Sequence, residues 1–143
     1  MMQEKYPRVG VGGFIIDSEN NILLQLRNKP PEAGYWSIPG GKVEFMEKLE
    51  DAITRELKEE LGINVRIEDM LCVTNHIVPT DNAHWVAPTF LVEIIRGEIR
   101  NLEPDAIRQV QWFPLNNLPD NLTITTCSAI EAYFKKFGVV LAK

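Results

Sequence analysis

The chain has 143 residues, of which 45% are apolar and 24% charged; this is the size and balance of one compact globular domain, not of a disordered, collagen-like or low-complexity chain. Lys and Arg number 15 against 20 Asp and Glu, a net charge of −5, and no basic run offsets it, which argues against DNA or RNA duplexes and anionic membranes as partners. An acidic protein still binds small anions where its carboxylates hold divalent cations, because the cation then dominates the local field.

The opening, Met1 to Pro7, lacks the apolar core of a secretion signal. No stretch approaches the ~18 apolar residues of a membrane span, so the expected location is the cytoplasm. A first strand is predicted over residues 8–16, a Val/Phe/Ile run interrupted by Gly10, Gly12 and Gly13. The turn formers Asp17 to Asn21 join it as a hairpin to a second strand, 22–26. Residues 28–39 read as a loop carrying Tyr35 and Trp36, which leads into Gly40-Gly41.

From about Glu47 to Leu61 the period becomes helical: Leu49, Ala52, Ile53, Leu57 and Leu61 form one stripe, and Gly62 is the expected C-terminal cap. Residues 70–78 and 85–95 read as strands around the turn Pro79-Thr80-Asp81-Asn82, with further short strands at 97–100 and 110–113. A last helix is predicted from near Thr126 to Phe137, since Ile130, Tyr133, Phe134 and Phe137 share a face and Gly138 stops it. Strands interleaved with two helices imply an α/β fold, a mixed sheet covered on both faces. Cys72 and Cys127 form no CxxC and have no His at zinc-finger spacing, so both are expected to be reduced thiols in apolar settings.

On the first predicted helix, Glu56, Glu59 and Glu60 share one arc beside the apolar stripe. Like charges at these spacings repel by about 0.2 to 0.5 kcal/mol per pair, so something positive should compensate. One reading is a solvated face, with Arg55 pairing Glu59 at i+4. The other is divalent metal: hard oxygen ligands suit Mg²⁺ or Mn²⁺, and Mg²⁺ keeps positions for water and substrate phosphate oxygens. Just before this helix, Gly40-Gly41 lets backbone come close to a ligand or supply a carbonyl to a metal, or simply forms a tight turn.

Residues 41–63 read GKVEFMEKLEDAITRELKEELGI. This segment resembles the Nudix box of the Nudix (MutT-like) hydrolases, with Gly41, Glu47, Arg55, Glu56, Leu57, Glu59, Glu60, Gly62 and Ile63 filling every specified position. Segments outside the box, Trp36 to Gly40, Val9 to Gly12, and Val110 to Pro114 with Leu118-Pro119, look like the same family's flanks. The resemblance implies one Nudix domain over residues 1–143 with no appended module, folded as an α/β/α sandwich with a mixed β-sheet between helices. It implies hydrolysis of a nucleoside diphosphate linked to another group. Residue by residue, Glu56, Glu59 and Glu60 would bind Mg²⁺, or Mn²⁺ in its place, with the Gly40 carbonyl as a further ligand. Glu47 would support the site, and Arg55 would orient the carboxylates by ion pairing.

The implied chemistry is attack of a metal-activated water on a pyrophosphate phosphorus, with a carboxylate taking the proton. Family members place that base in the box or on a later loop; here Glu103 is preferred over Asp105, and an exposed acidic turn is the alternative for both. Arg27 and Lys42, with Gly41, are candidates for phosphate contact. Trp112, Trp36, Phe14 and Trp85 are candidates for base stacking, although most should be packing residues. His76 and His84 are either polar cross-strand neighbours or contacts to base or ribose.

The overall pattern looks like the subgroup that cleaves nucleoside triphosphates to monophosphate and pyrophosphate, with oxidised dGTP, dCTP or related pyrimidine nucleotides as candidates. Pro79, sixteen residues after Ile63, has a spacing associated with ADP-ribose hydrolases and keeps ADP-ribose as the alternative. A non-catalytic nucleotide-binding regulator would lose box glutamates or carry a DNA-binding domain, and this chain does neither. Family members often form homodimers; no stripe here marks an interface, and the Val139-Val140-Leu141 tail is the single hint of one.

Overall fold

The computed structural model describes residues 5–138; the 139–141 tail lies outside them. In chain order the elements are β1 (Arg8–Ile15), β2 (Asn21–Arg27), β3 (Trp36–Ser37), β4 (Gly40–Lys42), α1 (Leu49–Leu61), β5 (Asn64–Val78), a 3-10 turn (Pro79–Asp81), β6 (Ala83–Arg96), β7 (Ile107–Pro114) and α2 (Ile124–Phe137). They build an α/β sandwich from a four-stranded mixed sheet, β4-β1-β6-β5, and a three-stranded antiparallel sheet, β3-β2-β7. No helix among the described residues is long and apolar enough to cross a membrane.

Each helix covers one core. Ala52, Ile53, Leu57 and Leu61 of α1 are fully buried against Val11, Ile15, Leu23, Phe90 and Val92. Each such Leu or Ile stabilises the fold by roughly 1.5 to 3 kcal/mol relative to exposure. On the other side, Ala129 and Ile130 of α2 close over Phe14, Ile22, Leu24 and Ile38. The glycines predicted to stop the helices do so: Gly62 and Gly138 have φ of 73° and 62°, the left-handed conformation that glycine adopts without strain.

Several expectations are corrected. Strands β1 and β2 are not a hairpin. Because β1 is buried on both faces and flanked by β4 and by the parallel strand β6, it has no free edge for β2. The Asp17 carboxylate accepts from the N–H groups of Glu19 and Asn21 and turns the chain into the second sheet, leaving one isolated bridge, Ile16 to Ile22. Residues 97–100 are not a strand: their segment donates from Arg100 N–H to the Leu61 carbonyl at 3.0 Å, and Leu102 N–H donates to the Glu60 carbonyl at 2.9 Å. Those bonds satisfy the orphan carbonyls at the end of α1, which removes the need for a sheet partner.

Element ends also shift: β5 starts at Asn64, six residues early, α1 starts at Leu49, and α2 starts at Ile124 behind a Thr123 side-chain cap. Trp36 and Ser37, expected in a loop, pair with β2. Cys72 is half-buried and Cys127 is exposed, so the second thiol is not in an apolar setting.

Candidate active site

The amphipathic register of α1 buries Leu57 and Leu61 and thereby presents Glu56, Glu59 and Glu60 along the rim of that face. Arg55 gathers the charges around it. Its Nε and Nη2 donate to the two Glu47 oxygens, its Nη1 donates to Glu56 at 3.0 Å and Glu59 at 3.3 Å, and its Nη2 also donates to the Lys42 carbonyl. The guanidinium holds the Glu47 carboxyl at a pKa of about 2, helped by the Glu44 N–H. Burial pushes the Glu56 carboxyl up, against the pull of Arg55.

Glu60 differs from the other two. It is buried, and its side-chain oxygen accepts from Gln25 Nε2 at 3.1 Å. Burial, with the charges of Glu56 and Glu103 nearby, pushes its carboxyl up to about 8 against the bonds from Gln25 and the Gly40 N–H. Glycine is required beside these acids. A Cβ on Gly41 would stand 2.2 Å from the Glu56 Cδ, and one on Gly40 would stand 1.9 Å from the Val11 carbonyl oxygen.

A cavity of about 340 Å³ opens beside Glu60, Gly40 and Gly41 and runs between the two sheets. Its floor is the face of β1 and β6 that carries Gly10, Gly12, Ala87 and Thr89, where small side chains leave room, and Trp85 bounds it. Arg27, Lys42, Glu32 and His76 also line it.

The structure brings together most of the predicted site. Glu47, Arg55, Glu56 and Glu59 form one hydrogen-bonded set with the Lys42 backbone, and Glu60 adjoins Gly40. The charge of Glu103 bears on both Glu56 and Glu60, because the Leu102-to-Glu60 bond holds its segment at the end of α1. Asp105 points its carbonyl to Asn28 instead. Arg27 commits its Nε to the Pro31 carbonyl at 2.7 Å and steadies the cavity's loop.

Trp112 lies on β7 opposite Leu23, packs against the core under α1 and is not among the residues that line this cavity. Trp36 packs edge-on against Phe113 and Phe14 stacks on Tyr133, so of the four aromatic candidates Trp85 alone reaches the cavity. His84 is exposed and Pro79 lies outside the cavity lining. Two residues went unread in the sequence. Gln25 had a signal, a polar side chain inside the apolar run of β2. Glu32 had none.

The donor set fits a divalent cation by its chemistry, since Glu60 is a buried carboxylate that makes no salt bridge among the described residues and stands beside further hard oxygen donors. Among the described residues no three His, Cys, Asp or Glu side chains converge to hold a metal as they stand. Arg55 draws Glu56 and Glu59 to itself while Glu60 turns to Gln25.

The sequence profile of the NUDIX domain matches residues 6–131. An ADP-ribose pyrophosphatase of Methanocaldococcus jannaschii is 36% identical over 114 residues, 80% of this chain but 66% of its own length, just under two thirds. An 8-oxo-dGTP diphosphatase of Proteus vulgaris is 36% identical over 100 residues, 69% of this chain and 87% of the relative. The crystal structure of a MutT NUDIX hydrolase from Burkholderia pseudomallei superposes with a TM-score of 0.84 at 45% identity, covering 89% of this chain and 98% of the other.

Proposed function

This chain belongs to the Nudix hydrolases, and from that premise we propose that it cleaves a (deoxy)nucleoside triphosphate to the monophosphate and pyrophosphate, with Mg²⁺ or, in its place, Mn²⁺. The observation that carries this reading is the cavity that adjoins Glu60 and Gly40-Gly41 and is bounded beyond them by Glu32, His76 and Trp85. It suits one nucleoside on one side of a phosphate chain.

Glu56, Glu59, Glu60 and the Gly40 carbonyl would hold the cation. When bound, the cation neutralises phosphate charge and makes a water more acidic. Arg55, anchored on Glu47, offsets the repulsion between Glu56 and Glu59. Glu103 takes the proton from the water that attacks phosphorus, and the anhydride oxygen leaves with its electron pair. Lys42 and Arg27 contribute positive charge along the cavity wall, and Gly41 allows the backbone to approach.

A second reading, ADP-ribose as substrate, is favoured by the name of the M. jannaschii relative. Hydrolysis of a panel of nucleoside triphosphates, dinucleoside polyphosphates, nucleotide sugars and ADP-ribose with Mg²⁺ tests both. Pyrophosphate released from a triphosphate supports the first, and AMP with ribose phosphate from ADP-ribose supports the second.

A further inference from the structure

Two cavity residues, His76 and Glu32, have no part in the reaction just described. They form a close pair, His76 Nε2 to Glu32 Oε1 at 2.6 Å, with side chains only 12% and 10% exposed. Glu32 is fixed from several sides. Its second oxygen accepts from the Ile124 N–H at 3.0 Å, its own N–H donates to Asp81, and its backbone takes a φ of 61°, a left-handed conformation uncommon outside glycine. The loop, β5, the 3-10 turn and the start of α2 therefore meet at one residue, β5 and α2 through its carboxylate and the turn through its backbone N–H.

We propose that His76, oriented by Glu32, reads the base of the nucleotide through its Nδ1, with Trp85 as the flat wall beside it. An ionised carboxylate only accepts hydrogen bonds, so Nε2 carries the proton and donates. In the neutral imidazole Nδ1 then keeps its lone pair, and it makes no hydrogen bond among the described residues. A half-buried acceptor at the wall of a cavity suits a ligand N–H, such as the amino or imino edge of a nucleobase.

Placement agrees with this chemistry. His76 on β5 is directly across from Trp85 on β6, and Trp85 is directly across from Arg8 on β1. Strands β5 and β4 are the two edges of this sheet, three spacings and thus about 14 Å apart. That span matches a nucleotide laid with its base at β5 and its phosphates at Gly40-Gly41. Between them the floor is Gly10, Gly12 and Ala87, and a Cβ on Gly10 would come within 3.3 Å of the Trp85 ring.

The inference rests on the proposed function for its ligand class alone, so binding is measured beside turnover. His76→Phe is tested in the full chain with nucleoside triphosphates for kinetics, nucleoside monophosphates for equilibrium binding, and inorganic tripolyphosphate as a ligand without a base. The expected result is a rise of about tenfold or more in KM and in the monophosphate Kd, with kcat within about twofold and tripolyphosphate affinity unchanged. Equal weakening of tripolyphosphate and nucleotide, or no change in either, overturns it. Selective loss of monophosphate binding in a protein that hydrolyses no triphosphate upholds base reading and overturns the pyrophosphatase.

Glu32→Gln is the second variant and decides the matter if His76→Phe does not fold. With its one oxygen needed by the Ile124 N–H, the amide nitrogen faces His76, and the imidazole must reverse its tautomer. KM for the preferred nucleotide is expected to rise while tripolyphosphate binding holds. Wild-type behaviour of Glu32→Gln overturns the assignment.

Discussion

The Arg55 guanidinium meets the Glu47 carboxylate at two points, Nε to Oε2 at 2.8 Å and Nη2 to Oε1 at 2.9 Å. This fork fixes the plane of the guanidinium from outside the helix and leaves Nη1 aimed at Glu56 and Glu59. Replacing Glu47 with Gln removes the charge that anchors it, and replacing Arg55 with Lys removes the fork. Each is expected to lower kcat/KM by about 10- to 100-fold with an unchanged circular dichroism spectrum. Wild-type turnover in Glu47→Gln would remove Arg55 from the positioning of the acids.

Acid–base linkage at Glu60 predicts the pH response of the metal-free protein. Its folded pKa of about 8 stands above the ordinary 4.5, so between those values the folded state binds the extra proton. Stability contributed by the neutral acid is present below about pH 4.5 and is lost as pH rises towards 8, by an amount on the order of a few kcal/mol. Denaturant titrations at pH 5 and pH 8 in chelator check this. Glu60→Gln should flatten the difference while abolishing most Mg²⁺-dependent turnover.

Gly41→Ala tests the contact between β4 and the acidic helix. The added methyl would occupy space 2.2 Å from the Glu56 Cδ, so the carboxylate must rotate away. A loss in kcat of about tenfold or more is expected, since misplacement by an ångström is enough for such an effect. Thermal melting measured on the same protein should move little, because the displaced group is a side chain and not the core.

The two loop acids are separated by their neutral amides. Glu103→Gln is expected to cost about 100- to 10,000-fold in kcat, the range for a lost general base, while Asp105→Asn stays near wild type. Equal activities for the two variants in a pyrophosphate-release assay would move the base back into the helix.

Leu57→Ala probes the link between core and site. Leu57 is fully buried beneath the acids, and its truncation should destabilise the protein by about 2 to 5 kcal/mol in equilibrium unfolding.

What was legible in the sequence is what depends on near neighbours. The stripe Ala52-Ile53-Leu57-Leu61, the stop at Gly62 and the spacing of the box are properties of one helix and its ends, and the structure repeats them. Strand partners are another matter. Nothing within residues 8–16 announces that β1 runs parallel to β6, and the turn at Asp17 looks the same whether it closes a hairpin or crosses between sheets. The choice between Trp112 and Trp85 depends on which face of a strand meets the cavity, hence on that same pairing. Glu32 was invisible for a similar reason: its partners His76 and Ile124 are 44 and 92 positions away along the chain.

The pairing of β1 with β6 and of β2 with β7 also governs when the enzyme comes into being. Both early strands must wait for partners made late, so long loops close before their contacts can reward the loss of chain freedom, and folding should be slow for a domain of this size. The acidic helix is synthesised well before the strands that wall its cavity. A nascent chain halted before residue 107 would thus carry the complete Nudix box and no working site, and catalytic competence should appear at the close of folding, in a single late step.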